Sequence, residues 1–509
     1  MELRTISTTY EGKERLTEEQ VIPFCDDGGR EQWVINLYPQ VTYQQMDGFG
    51  GAITESAAYV YSLMDPEQKK QMLGEYFGKG EMSYRFVRIP IDSCDFSLGH
   101  YEADGNEDDA QLEGFSFERV EKYILPMLED AEKSYGGKLE IMLSPWSPPA
   151  YMKTNGERNH GGKLKECYWK RWAEYICRYI QEYRKRGFHV TMLTLQNEPK
   201  AVQKWDSCVY TAQEEKAFLR DYIWPSLAAH GLDDIEIYIW DHNKERAFEW
   251  AEVIIDAETD HMVAGIAFHW YSGDHFEALQ MIRERFPGKK LLLSEACIEF
   301  SKYSAEDHLA NAQKYAHDII GNLNAGMNVF LDWNLVLNEV GGPNHVQNFC
   351  DAPFFYDTDQ KQLIKRELQS YVKHFSHYIE NGSVRIGVSR YTDKLEITAF
   401  RKNNRIVFVL LNRTGEGIPA FITIMTMPFA YSISKGIMWG MITYVFVKLV
   451  SKKYKEIPVV TMILAAIFVG DIIFEGVKES DSKKNAPTAV EATAENVEAP
   501  AADVEIVAE

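Results

Sequence analysis

Basic residues are scarce in this chain. Its 54 Lys and Arg face 76 Asp and Glu, a net charge of −22 over 509 residues. A phosphate backbone needs a cationic surplus, so a nucleic-acid partner is excluded. Cysteine is sparse as well. The seven (Cys25, Cys94, Cys167, Cys177, Cys208, Cys297 and Cys350) include no CxxC pair. Such a scattered, odd set favours neither a zinc site nor a disulfide framework, and fits small core residues in a reducing cytosol. No His, Cys or carboxylate group has metal-ligand spacing, so no metal or cofactor is expected. The opening MELRTISTTYEGKERLTEEQ lacks a basic region followed by an apolar core. A signal peptide is therefore not expected, and the catalytic part is placed in the cytoplasm. No glycine-rich phosphate fingerprint follows any strand candidate, and no nucleophile elbow offers a seat for a Ser-His-Asp triad.

What the chain has is a repeat of short apolar runs and longer amphipathic stretches between about residues 48 and 337. The strand candidates are FGGAI near Phe49, Tyr84–Ile91, Leu139–Trp146, Val190–Gln196, Ile235–Asp241, Gly265–Tyr271, Lys290–Ala296 and Asn328–Leu337. Helical patterns such as YWKRWAEYICRYIQEYRKRG lie between them and close on a glycine. Eight such repeats point to an α/β fold, a (β/α)8 TIM barrel, over residues 46–371. A doubly wound sheet is the alternative. Residues 1–45 and 372–414 alternate apolar and polar side chains, and are expected to pair into one β-sandwich side domain beside the barrel.

Reactive groups of a TIM barrel sit at the C-terminal strand ends. The second strand leads to Asp92 and Asp95, the third to Trp146, and the fourth to Asn197-Glu198-Pro199. The sixth leads to His269-Trp270-Tyr271, the seventh to Ser294-Glu295-Ala296, and the eighth to Asp332-Trp333-Asn334. Glu198 and Glu295 would face each other across the mouth. Two carboxyl groups about 5–5.5 Å apart suit retaining glycoside hydrolysis, one as acid/base and one as nucleophile. Mutual repulsion is expected to raise the pKa of the acid, Glu198. Trp146, Trp270, Tyr271 and Trp333 would offer platforms for sugar rings. Each feature alone has a duller explanation: a solvated loop glutamate, core tryptophans, a satisfied core histidine at His269. Glu299 is a rival to Glu295, and the joint placement on strands four and seven favours Glu198 with Glu295.

At these residues the chain resembles glycoside hydrolase family 30, whose members include the glucosylceramidases. The matching stretches are DGFGGAITESAA (Asp47–Ala58), RIPIDSCDFS (Arg88–Ser97), LSPWSPPAYMKTNG (Leu143–Gly156), TLQNEP (Thr194–Pro199), FHWY (Phe268–Tyr271), SEAC (Ser294–Cys297) and DWNLVLNEVGGPN with QNFCDAP (Asp332–Pro353). The resemblance implies Glu198 as acid/base and Glu295 as nucleophile. It implies that Asn197 contacts the sugar 2-hydroxyl, and that Arg88 and Tyr271 hold the nucleophile. It also implies that Asp95, Trp146, His269, Trp333 and Asn348 line the sugar pocket. A β-glucoside or glucosphingolipid is the expected substrate. The alternatives are a β-glycosidase on glycans (a β-1,6-glucanase, β-xylosidase or β-glucosidase) and a catalytically impaired membrane-tethered fusion. The stretch after NEP, KAVQKWDSC, is short where the family shapes the leaving-group side.

Past Gly417 the composition changes. Residues 415–476 resemble the C-terminal membrane portion of nucleobase permeases of the xanthine/uracil and adenine/guanine type, best over IPAFITI and PFAYSISKGI. Two or three transmembrane-like helices are expected there, with membrane association through residues 418–474. The strands that finish the sandwich are then missing, so the side domain is expected to be incomplete. Residues 477–509, rich in Ala, Glu and Pro, are expected to be disordered.

Overall fold

Eight parallel strands close into a barrel, in the order the apolar runs predict. They are β1 (Gly48–Ala52), β2 (Phe86–Ile91), β3 (Glu140–Pro145), β4 (Val190–Thr194), β5 (Glu236–Asn243), β6 (Gly265–His269), β7 (Lys290–Glu295) and β8 (Val329–Asp332). The computed structural model describes residues 2–8, 17–23, 34–413, 441–446, 448–449, 457–458, 460–470 and 504–508.

Local chemistry sets the helix boundaries. Asp65 caps the helix Pro66–Phe77 in a reciprocal box with Gln68, and Pro66 occupies its first turn. Thr211 and Glu214 repeat the device at Ala212–Phe218. Helix Trp169–Lys185 buries Trp172, Tyr175, Ile176, Tyr179, Ile180 and Tyr183, a stripe at helical spacing.

Inside the barrel the pleat sorts side chains by twos. Phe86, Met142, Met192, Tyr238, Ala267 and Leu292 form an apolar layer with Val329 and Leu331. Two residues further along the same strands stand Arg88, Ser144, Thr194, His269 and Ser294, all fully buried. An apolar plug thus carries a polar floor, one pleat repeat higher.

The eighth strand is shorter than predicted. It ends at Asp332, and Asn334 turns the chain with φ 55°. Val336–Asn338 then begins a separate three-stranded sheet with Phe354–Asp357 and Gln362–Lys365.

The chain forms two compact units, Val41–Ile386 and Met1–Gln40 with Gly387–Glu509. A seven-stranded sheet draws on both flanks. Its order is Thr17–Pro23, Glu2–Ser7, Val504–Ala508, Arg405–Asn412, Leu395–Lys402, Val384–Arg390 and Ile35–Gln45.

One expectation for the C-terminal region changes. Val504–Ala508, inside the tail expected to be disordered, is a strand. It pairs in parallel with Glu2–Ser7 and with Arg405–Asn412, so the latter is not the unfinished edge that the missing strands imply. VEIVA holds three β-branched residues and a single charge, which suits a strand better than the surrounding tail does. Among the described residues no helix is long and apolar enough to cross a membrane. Helical residues occur at 441–446, 448–449 and 460–470; apart from these and residues 457–458 the permease-like segment lies outside the described residues, as does most of the tail.

Candidate active site

Asp241 is the hub of the polar floor. Arg88 donates to its Oδ2 at 2.8 Å, and Thr194 to the same oxygen at 2.6 Å. Ser294 donates to its Oδ1 at 2.5 Å, and His269 Nε2 lies 3.1 Å from that oxygen. Burial alone would push this carboxyl up. Arg88 and His269 hold it well below the usual carboxylate range instead.

Two bulges aim the charged groups. Between Trp240 and His242 the β5 ladder with β6 slips by one residue, and Trp240 and Asp241 take φ of 75° and 52°. Simple alternation from Tyr238 would turn Asp241 outward, and the extra residue turns it inward. The β7 ladder slips likewise between Leu293 and Glu295, so that Ser294 and Glu295 both reach the floor. Glu198 itself sits at φ 47°, tied by its backbone N–H to Asp241 O at 2.9 Å. Left-handed geometry at non-glycine residues carries strain, and Glu198, Trp240 and Asp241 all adopt it at this site.

The two predicted glutamates have different neighbours. Arg88 Nη1 donates to Glu295 Oε2 at 2.6 Å, and Tyr271 donates its hydroxyl to Glu295 Oε1 at 2.9 Å. Burial pushes the Glu295 carboxyl up, against the pull of His269 and Arg88, and the charge of Glu198 adds to the rise. Glu198 Oε1 meets two imidazoles, His269 Nδ1 at 3.2 Å and His242 Nδ1 at 3.5 Å. Burial opposes its ionisation, yet His242 and His269 pull it down to about 2. This reverses the expectation of a raised acid, because the imidazole contacts outweigh repulsion between the carboxylates. The proton rests on His269 instead. Burial disfavours that charge, but Glu295, Asp241 and Glu198 push its pKa up to about 9. Glu299, the rival carboxylate, pairs with Lys302 and bridges to Cys350 along the backbone.

The other predicted residues gather at the same end. Asn197 accepts from Arg88 Nη2 at 2.9 Å. Asp95 accepts from the amides of Asn344 and Asn348, each at 3.2 Å, and burial with the charge of Glu295 pushes it up to about 7. Trp146 and Trp333 stack on each other, with centroids 5.4 Å apart, and the Arg88 guanidinium lies over both rings. Trp270 belongs to the wall, not to a platform. Its indole N–H donates to Cys297 O, and its ring packs against Tyr315. Asp92 is bound by the hydroxyls of Tyr175 and Tyr179.

Asp241, His242, Thr194 and Asn243 escape the sequence reading. Asn243 accepts the backbone N–H of Tyr271 at 3.0 Å. The signal is the WDHN end of the fifth strand, whose polar residues are masked by a bulge that no alternation pattern contains.

The profile of the glycosyl hydrolase family 30 TIM-barrel domain matches residues 46–379, and that of the family's β-sandwich domain matches residues 382–437. The second match runs past Thr414 into the permease-like stretch. Lysosomal acid glucosylceramidase of Mus musculus is 31% identical over 79% of this chain and 82% of its own length. An endo-1,6-β-D-glucanase of Aspergillus fumigatus is 27% identical over 60% and 64%. Among solved structures, SrfJ from Salmonella typhimurium superposes with a TM-score of 0.76 at 40% identity, covering 79% of this chain and 89% of its own. An endo-β1,6-glucanase superposes with a TM-score of 0.72 at 27% identity, covering 81% and 92%. The chain belongs to glycosyl hydrolase family 30 and is a β-glycoside hydrolase.

Proposed function

We propose a double displacement on a β-glucoside in which Glu295 attacks the anomeric carbon and Glu198 serves the leaving oxygen. The observation that carries this is the division of labour around the pair. Arg88 and Tyr271 occupy both oxygens of Glu295 and fix its orientation, as a nucleophile requires. One oxygen of Glu198 faces two imidazoles, as a group that must gain and lose a proton requires.

The field of Glu295 links the two roles. Its charge is the largest contribution holding the proton on His269. As the nucleophile's charge is consumed, that hold weakens. The proton then moves across the 3.2 Å contact to Glu198 and on to the leaving oxygen. In the second half, Glu198 takes a proton from water, and the glycosyl ester to Glu295 is hydrolysed.

For the aglycone we propose a lipid, as in glucosylceramide. Leu98, Val202 and Val340 are exposed on the loops after β2, β4 and β8, around the mouth. Of the two curated relatives the glucosylceramidase matches 79% of the chain and the Aspergillus fumigatus glucanase 60%, while the solved endo-β1,6-glucanase covers 81%. The second reading, a β-1,6-linked glucan, rests on the solved endo-β1,6-glucanase. The test is kcat/KM on glucosylceramide in mixed micelles against a β-1,6-linked gluco-oligosaccharide, with Glu295→Gln as background. Preference for the lipid, abolished by Glu295→Gln, is expected. Cleavage of the oligosaccharide alone would overturn the lipid reading, and activity that survives Glu295→Gln would overturn the nucleophile.

Residues 418–474 are proposed to attach the enzyme to a membrane. Phe446, Val460, Ile463 and Ile467, among the described residues there, are exposed. Full-length protein should float with phosphatidylcholine vesicles in a density gradient; protein that stays at the bottom removes this role.

A further inference from the structure

Three loops at the C-terminal end of the barrel bring His100, Asp206 and His345 together beside Asp95. They follow β2, β4 and β8, far apart in sequence, which is why no spacing motif announces them. His100 Nδ1 lies 3.1 Å from Asp206 Oδ2, and the two imidazole rings meet edge to face at 4.7 Å. One ligand atom from each of the three lies within 4.8 Å of the other two.

The far carboxylate oxygen of Asp206 and the Nδ1 of His345 are already engaged. Asp206 Oδ1 accepts from Arg158 Nε at 2.6 Å and from Ser93 Oγ at 3.0 Å. His345 Nδ1 donates to Ser97 O at 3.1 Å, which fixes the tautomer and leaves the lone pair on Nε2. That Nε2 is buried and has no hydrogen-bond partner among the described residues. A buried, unmatched acceptor costs on the order of 1–3 kcal/mol. A proton is a poor remedy, since burial and the neighbouring His100 both hold the His345 pKa below its usual value.

We propose that His100, Asp206 and His345 bind a divalent transition-metal ion of the zinc class. Two imidazoles and a carboxylate are a common donor set for such ions. The outer contacts are of the expected kind, with a backbone carbonyl on one imidazole and fixed donors on the far carboxylate oxygen. The Arg158 guanidinium opposes a cation here, but Glu102 at 3.2 Å and Asp92 at 3.6 Å share it with Asp206. Three carboxylates around one guanidinium leave the surroundings negative. The His100 side chain is 41% exposed and gives the ion a way in. The ion would tie three loops together beside the sugar pocket, since the backbone N–H of His345 bonds Asp95 O at 3.3 Å.

The experiment uses full-length protein stripped by a chelator and titrated with Zn2+, with stoichiometry read by elemental analysis and affinity by calorimetry. His100→Gln, His345→Gln and His242→Gln are compared, each first shown to melt cooperatively. His242 belongs to the other candidate trio, with Glu198 and His269. One zinc per chain is expected, weakened by about tenfold or more in His100→Gln and in His345→Gln and unchanged in His242→Gln. No binding by the wild type, binding lost in His242→Gln alone, or binding unchanged in all three would overturn the assignment. His100 lies in an exposed loop, so His100→Gln remains decisive if His345→Gln fails to fold.

Discussion

The two mouths of the barrel are built from the same ion-pair chemistry, and they differ in what water is allowed to do. At the N-terminal mouth Arg85 pairs with Glu140, and Lys290 bridges Asp47 at 3.2 Å and Glu236 at 3.1 Å. These side chains surround a polar cavity of about 200 Å³ and remain 24–41% exposed. At the C-terminal mouth Arg88 pairs with Asp241 and Glu295, and its side chain is fully buried. Arg85 and Arg88 are three residues apart, the first just before β2 and the second inside it. Screened pairs are worth about 0–1 kcal/mol each. Breaking a buried pair costs about 3–5 kcal/mol, because the remaining charge has nowhere to go. One end closes the barrel, and the other holds charge in readiness.

Asp241→Asn should expose that contrast most strongly. It keeps the shape of the hub and removes the charge facing Arg88 and His269. Stability should fall by about 3 kcal/mol in chemical denaturation, and kcat/KM by about 10²-fold. An Asn variant with wild-type stability and rate would show that the hub charge is idle.

A pH series sharpens the comparison without mutation. The folded pKa of His269 is about 9, above an unfolded value near 6.5. The proton is therefore held more tightly in the folded state. Its contribution to stability is complete below pH ~6.5 and is lost as pH rises to about 9. Activity should have an alkaline limb near the same value, and Asp241→Asn should move that limb to lower pH by removing one of the charges that hold the proton. A limb that stays in place in the variant would separate His269 from the proton transfer.

The smallest effect is expected at the other mouth. Glu140→Gln should change stability by no more than about 1 kcal/mol and leave kcat/KM unchanged. A loss comparable to that of Asp241→Asn would mean that the N-terminal pairs contribute as much as the buried ones.

Much of the fold was legible because a parallel barrel strand is buried on both faces and reads as an apolar run. All eight runs are found where the sequence places them, although the eighth is interrupted at Trp333. Glu198 and Glu295 were legible as strand-end carboxylates in a shared frame. Asp241 and His242 were not, because a one-residue bulge reverses which side chain faces inward. Glu198's lowered pKa was also hidden, since it depends on His242, which is placed by that bulge. The lone pair of His345 depends on a carbonyl at Ser97, a contact that no local pattern encodes. Residues 415–440 and most of 477–509 lie outside the described residues, and what composition suggests for them stands as expectation.

The bulges in β5 and β7 also bear on how such a site tolerates change. Its polar floor is addressed by counting: two residues above the apolar layer in most strands, and one extra in these two. A substitution at Trp240 or Leu293 alters packing but keeps the count. A single-residue deletion between Tyr238 and Asp241, or between Leu292 and Glu295, shifts every later side chain of that strand to the opposite face. A scanning library of point changes and one-codon deletions across β5 and β7 should therefore show tolerance to the first and collapse of activity under the second, even where no functional residue is removed.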